Sequence, residues 1–185
     1  MARARFHSFV GRAAELELLQ QALQADEAPF SVLYIFGPGG VGKTTLLHLY
    51  ARIAAQHGRA VFRLDARDVD PSPQGFLLAL SAQAGGGEGW LSLERLATLP
   101  PAVLFLDTYE RLAPLDDWLR ETFLPALPAH VLVIIAGRNP PAEPWRTDPA
   151  WRAIWACVRP YGGFAHDWRA EPLSVWREVM AERQL

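Results

Sequence analysis

Four short apolar runs recur along the chain, each closed by a Gly or an Asp, and stretches with helical spacing separate them. The runs are residues 30–36, 60–65, 102–107 and 131–136. Their length and their content of Val, Ile, Leu and Phe predict buried strands. Ahead of the first run, Leu16, Leu19 and Leu23 fall on one face of a helix over 13–24. Leu46, Leu47, Leu49, Tyr50, Ile53 and Ala54 mark a second helix over 44–56, with Gly58 as its stop. Ser72 followed by Pro73 reads as an N-cap and a first helical position, opening a helix through Phe76, Leu77 and Leu80. Shorter helices are expected over 90–99 and 115–124, the latter stopped by Pro125 and Pro128. Trp151 and Trp155, four apart, are expected on a further helix as core residues. A last helix over 171–183 has Leu173, Trp176 and Met180 on one side. The glycine-rich stretch 85–89 is a flexible break, too short for a domain linker. Unbroken apolar strands alternating with helices are what a parallel sheet covered on both faces requires.

Composition narrows this picture to one domain. The chain has 185 residues, half of them apolar or aromatic, enough for a sizeable core. It lacks the run of about 20 apolar residues that a membrane span needs. The basic start, Met1 to Arg5, leads into Phe6-His7-Ser8-Phe9 without the apolar stretch of a secretory signal, so a cytoplasmic location is expected. The single cysteine, Cys157, rules out an internal disulfide and is read as a small core residue. His48, His57, His130 and His166 are dispersed without metal-ligand spacing. A formal charge of −2 with scattered arginines offers no basic field for nucleic acid.

Candidate chemistry begins after the first strand, at Gly37-Pro38-Gly39-Gly40-Val41-Gly42-Lys43-Thr44-Thr45. Strand, G-x-x-x-x-G-K-[ST] and helix follow in the order of a phosphate-binding loop. Its glycines let backbone N–H groups turn inward on phosphate oxygens, and the helix N-terminus adds its positive dipole end. Lys43 is the only lysine among the 18 basic Lys and Arg residues. It stands where a compact ammonium reaches between the β- and γ-phosphates, and the Thr44 hydroxyl is suited to a magnesium shell. The third apolar run ends in Asp107, which puts a carboxylate at the C-terminal edge of a parallel sheet, where phosphate ligands bind in open α/β folds. This is the position of a Walker B aspartate, a second magnesium ligand. Glu110, three residues on, is the candidate for orienting or deprotonating an attacking water. Arg138, just past the fourth strand, is placed at the same edge with a permanently charged fork of donors.

These residues carry a family resemblance. Phe9-Val10-Gly11-Arg12-Ala13-Ala14-Glu15 resembles the h-h-G-R-x-x-E box of the STAND signal-transduction ATPases and of their AAA+ relatives in replication initiation. Leu104 to Leu112 is similar to the Walker B region of bacterial STAND proteins, and Ile135-Ala136-Gly137-Arg138 resembles their sensor strand. The resemblance covers residues 9 to 155. It implies that this segment folds over adenine, with a contact from Val10 and a supporting role for Gly11 and Arg12, that Arg138 senses the γ-phosphate, and that the cofactors are ATP or ADP with Mg2+. Asn139 is followed by Pro140, so no guanine-reading N-K-x-D motif starts there. It also implies that the Walker A and sensor strands are neighbours, with the Walker B strand beyond Walker A or between them. Two positions depart from the family pattern. Thr108 stands where many members carry a second acidic residue, and the chain stops at Leu185 without the lid, winged-helix and partner-binding segments.

The fold class expected is therefore α/β, a P-loop NTPase of the ASCE type with a parallel sheet and helices on both faces. Residues 1–28 are read as the adenine-box segment and first helix, 29–140 as the ATPase core, and 141–185 as a helical extension shortened before a lid. The function implied is that of a slowly hydrolysing, ATP-binding switch core, with a protein partner or further domains of a longer chain. An oligomeric AAA+ ATPase or a DNA-binding initiator or loader is the alternative.

Overall fold

The computed structural model describes residues 13–24, 31–84, 96–147 and 155–158. Five strands form one sheet: β1 (Val32–Phe36), β2 (Ala60–Asp65), β3 (Ala102–Asp107), β4 (Val131–Gly137) and β5 (Trp155–Val158). Their order across the sheet is β2-β3-β4-β1-β5, and every neighbouring pair is parallel. Helices α1 (Ala13–Gln24), α2 (Lys43–Gln56), α3 (Pro73–Gln83) and α4 (Glu143–Thr147) complete the α/β alternation.

Successive strand residues point to opposite faces, and the two halves of the core follow from that. Leu33 and Ile35 of β1, Val103 and Phe105 of β3, and Leu132 and Ile134 of β4 pack with α1 and α2. Val32, Tyr34, Leu104, Leu106, Val133 and Ile135 face the other way, onto α3 and the helical stretch after β3. Strands buried on both faces must be apolar throughout, as β4 is at all seven positions. In α3, Ser72 accepts a hydrogen bond from the Gly75 amide at 3.1 Å and Pro73 occupies the first turn, as their order predicts.

Four expectations need correction. β3, read from sequence as the Walker B strand, lies beyond β4, read as the sensor strand, and β4 pairs with β1 on one side and β3 on the other. β1 and β4, the strands expected to be neighbours, are adjacent, but all the central strands are apolar, so hydrophobic pattern carries no information on which pairs with which. Trp155 lies on β5, in register with Val32, and not on a helix. A four-residue spacing of tryptophans suits a helix, but Trp155-Ala156-Cys157-Val158 is also a short apolar run that extends the sheet past β1. The region after residue 140 thus supplies a strand as well as the short helix α4. Finally, the helix expected over 115–124 begins at Tyr109 and changes type along its length. Tyr109–Leu115 is a 3-10 helix with Pro114 inside it, Asp116–Trp118 is one α turn, Leu119–Phe123 is π and Leu124–Ala126 closes as 3-10. Pro114 and Pro125 each remove a backbone donor, which accounts for the interruption of a uniform α-helix.

The expectations for Val10, Gly11, Arg12, Trp151, the 85–89 break, most of 90–99 and the 171–183 helix lie outside the described residues. Among the described residues no helix is long and apolar enough to cross a membrane.

Candidate functional site

The C-terminal edge of the sheet gathers the candidate side chains. β1 leads through Phe36 into the glycine loop, whose first residue, Gly37, donates its amide to the Gly137 carbonyl of β4 at 3.3 Å. Gly40 and Gly42 adopt φ of 82° and 85°, the left-handed region in which a side chain is strained. Gly42 caps α2 and, having no side chain, offers the first-turn amides no acceptor of its own, which suits a helix N-terminus to an anion. Pro38, Gly39 and Gly40 are exposed and Val41 half-buried, while Thr44 and Thr45 lie exposed in the first turn of α2. A Cβ at Gly39 or Gly40 would meet nothing within 4 Å, in keeping with the exposure of both residues.

Lys43 folds back over this loop. Its Nζ donates to the Gly37 carbonyl at 2.7 Å and the Pro38 carbonyl at 2.9 Å. Burial lowers its pKa; Glu110 and Asp107 pull it up again, and Arg138 pushes it further down. All three predicted partners therefore lie within electrostatic reach of the one ammonium.

Thr44 and Asp107, 63 residues apart, meet directly: the Thr44 hydroxyl donates to Asp107 Oδ2 at 2.7 Å. The other oxygen, Oδ1, accepts the Thr108 amide at 2.8 Å. Thr108 has φ 58° and ψ 39° and is the only non-glycine residue with positive φ among those described. For a β-branched residue this costs about 1–2 kcal/mol. The turn it makes directs the chain from strand into helix and sets which Asp107 oxygen faces Thr44.

Glu110 and Arg138 also come together. Glu110 Oε2 accepts the Arg138 amide at 3.0 Å, and Oε1 lies 3.2 Å from Arg138 Nε. Glu110 is mostly shielded, whereas the Arg138 side chain remains 70% exposed. The carboxylate proposed from sequence as a base is thus in this arrangement the partner of Arg138.

Sequence reading missed two groups. Asp65 ends β2 in register with Asp107, and the Arg67 guanidinium holds it through Nε at 2.9 and 3.0 Å and through Nη2. Arg67 draws the Asp65 carboxyl down to about 2, and the Thr108 hydroxyl acts in the same direction. The signal was present: Leu64-Asp65 and Leu106-Asp107 end two strands in the same way. The second group is Asp116, whose Oδ1 accepts from the Tyr109 hydroxyl at 2.7 Å and the Trp145 Nε1–H at 2.9 Å, with Oδ2 at 3.1 Å from the same nitrogen. Burial first, and the Asp116 carboxylate second, push the Tyr109 phenol well above its ordinary value, so it stays a donor. Nothing in the spacing of these three residues announces the contact.

Comparison with known proteins agrees with the topology. Residues 8–85 match the AAA ATPase domain family, a span that includes the Val10-Gly11-Arg12 box and the glycine loop. Among solved structures, Cdc6p from Pyrobaculum aerophilum superposes with a TM-score of 0.59 at 18% identity, over 82% of this chain and 45% of that one. The Drosophila ORC bound to DNA gives 0.55 at 21% identity, over 83% and 44%. The Aeropyrum pernix ORC1 protein in complex with DNA gives 0.53 at 22% identity, over 94% and 50%. The chain spans about half the length of these relatives or less. Likeness at such identities speaks to fold. The chain therefore has the α/β P-loop NTPase fold, with the AAA ATPase domain match covering residues 8–85.

Proposed function

We propose that the chain is a nucleotide-dependent switch core that binds Mg-ATP and hydrolyses it slowly. The observation that carries this reading is the Thr44–Asp107 contact at 2.7 Å beside the folded-back Lys43. The donor set suits magnesium: a hydroxyl and a carboxylate, both hard oxygens, beside a helix N-terminus able to hold the phosphates the ion requires. Held there by Thr44 and Asp107, magnesium would offset the negative charge that develops during phosphoryl transfer. Amides of the glycine loop bind the phosphate oxygens, and Lys43 moves its ammonium from the Gly37 and Pro38 carbonyls onto the β- and γ-phosphates. Arg138, exposed at the same edge, turns its fork onto the γ-phosphate. Glu110 orients the attacking water through Oε1, the oxygen that the Arg138 guanidinium leaves when it turns to the γ-phosphate, while Oε2 keeps the Arg138 amide. Thr108 in place of a second acidic residue fits a slow rate, because only Glu110 is left to take the proton. The resemblance supports an adenine contact for Val10, with Gly11 and Arg12 in a supporting role.

The resemblance to STAND proteins favours a signalling role, in which different phosphate states reposition a protein partner or attached domains. Such a switch needs contacts that differ between ATP and ADP, and Arg138 is the group best placed to make one. In calorimetric titrations with magnesium, ATP and ADP are expected to bind with different affinities, and Arg138→Ala is expected to shrink that difference about tenfold. Binding of neither nucleotide by folded protein, or a difference that survives Arg138→Ala, defeats the reading.

A second reading is favoured by the fold relatives, two of which are solved with DNA. As an initiator-like AAA+ ATPase the chain would bind duplex DNA through a local patch despite its net charge of −2. That reading expects an affinity for a short duplex that falls steeply between about 50 and 200 mM salt. No binding at the lower salt leaves the switch reading alone.

A further inference from the structure

Asp116 lies outside every motif described above, yet its carboxylate joins the two segments that carry Glu110 and Arg138. On one side it accepts the hydroxyl of Tyr109, the residue directly before Glu110, at 2.7 Å. On the other it accepts the indole N–H of Trp145, seven residues beyond Arg138, at 2.9 Å. Tyr109 and Trp145 are both buried, at 4% and 0% exposure, and Tyr34 of β1 packs edge-on against each, with ring centroids 5.6 and 6.2 Å away. The Glu110–Arg138 contact closes the ring: Tyr109 to Glu110 by one peptide bond, Glu110 to Arg138 by hydrogen bond and ion pair, and Arg138 to Trp145 along the chain.

We propose that Asp116 is a positioning residue for the γ-phosphate contact of Arg138, acting through Tyr109 and Trp145. Both backbones that orient the Glu110–Arg138 pair are tied to one carboxylate, and the two donor rings are buttressed by Tyr34 on the strand leading into the glycine loop. Arg138 is thereby held at a fixed place on the sheet edge while its guanidinium stays exposed. A sensor that arrives already oriented loses less freedom on contacting a γ-phosphate, so the tether raises affinity for ATP and leaves ADP nearly untouched. This rests on the reading of Arg138 as the γ-phosphate sensor.

The test is the ratio of ATP to ADP affinity, measured by calorimetry with magnesium in the whole chain. Tyr109→Phe removes one hydroxyl and keeps the ring; Asp116→Ala removes both acceptors. Each is expected to lower the ratio about fivefold while ADP affinity stays within about twofold of wild type. In an Arg138→Ala background Tyr109→Phe is expected to change the ratio no further, since the path ends at that arginine. A Tyr109→Phe protein with a wild-type ratio, against an Arg138→Ala protein whose ratio has collapsed, overturns the positioning role and spares the sensor. A ratio unmoved by Arg138→Ala overturns the sensor assignment, and the role of Asp116 falls with it. A merely structural contact would lower melting temperature in both variants with the ratio unchanged.

Discussion

Lys43→Ala is expected to weaken Mg-ATP binding about 100-fold or more while lowering the melting temperature by less than about 4 °C. The two effects separate because the ammonium has different work in each. In the chain alone its Nζ satisfies the Gly37 and Pro38 carbonyls, and the loop residues Pro38 to Gly40 are exposed, so water takes over much of that role. The stability lost is about 1 kcal/mol or less, or roughly 2–4 °C for a chain of this size. Against phosphate, the ammonium is a charge-assisted donor in a loop that the bound nucleotide itself covers, and there removing one member of a charge pair costs about 2–5 kcal/mol. At about 1.4 kcal/mol per tenfold, the middle of that range exceeds 100-fold. Lys43→Arg is expected to fail as well, because a planar guanidinium does not fit a position whose two acceptors lie 2.7 and 2.9 Å from one nitrogen. Calorimetry for affinity and a thermal melt for stability read both parts. Tight Mg-ATP binding by the alanine variant would sink the assignment of the loop.

Local rules made the glycine loop legible, and the reason is physical. A strand, a run of glycines with positive φ and a helix N-terminus are all decided by residues within about a dozen positions, as at Gly40, Gly42 and Lys43. The ends of strands were readable for the same reason, which is why Asp107 was found at the right edge. What failed was adjacency. The insertion of β4 between β1 and β3 depends on pairings such as Val32 with Val133 and Leu104 with Val133, among residues that are equally apolar and equally able to pair. The partner of Glu110 failed for a related reason. Its hydrogen bond to the Arg138 amide spans 28 positions and exists only because β3 and β4 lie side by side. Once that order is known, the Glu110–Arg138 contact follows at once. Asp65 beside Asp107 follows in the same way from the pairing of β2 with β3.

Asp116→Ala is expected to lower stability by about 3 kcal/mol, the largest loss among exchanges of polar residues discussed above. Its carboxylate serves two donors that water reaches poorly, since Trp145 is fully buried and Tyr109 is 4% exposed. A buried donor left without an acceptor costs about 1–3 kcal/mol. Asp116 itself is half-exposed, so a water molecule entering behind the shortened side chain recovers part of the two penalties. The net corresponds to a melting temperature lower by roughly 6–12 °C. Asp116→Asn separates acceptor geometry from charge. Oδ1 alone accepts from both Tyr109 and Trp145, at 2.7 and 2.9 Å, so an amide oxygen in that position keeps both bonds. What it loses is the charge and the longer contact of Oδ2 to the indole nitrogen at 3.1 Å, where an amide N–H would face another donor. That loss is worth about 1 kcal/mol, the difference between a charged and a neutral acceptor. Melting temperatures should therefore fall in the order wild type, Asp116→Asn, Asp116→Ala, with the larger step at alanine. Equal losses in the two variants would mean that the negative charge, and not the acceptor position, holds Tyr109 and Trp145 together, and an alanine variant melting within about 2 °C of wild type would mean that neither does.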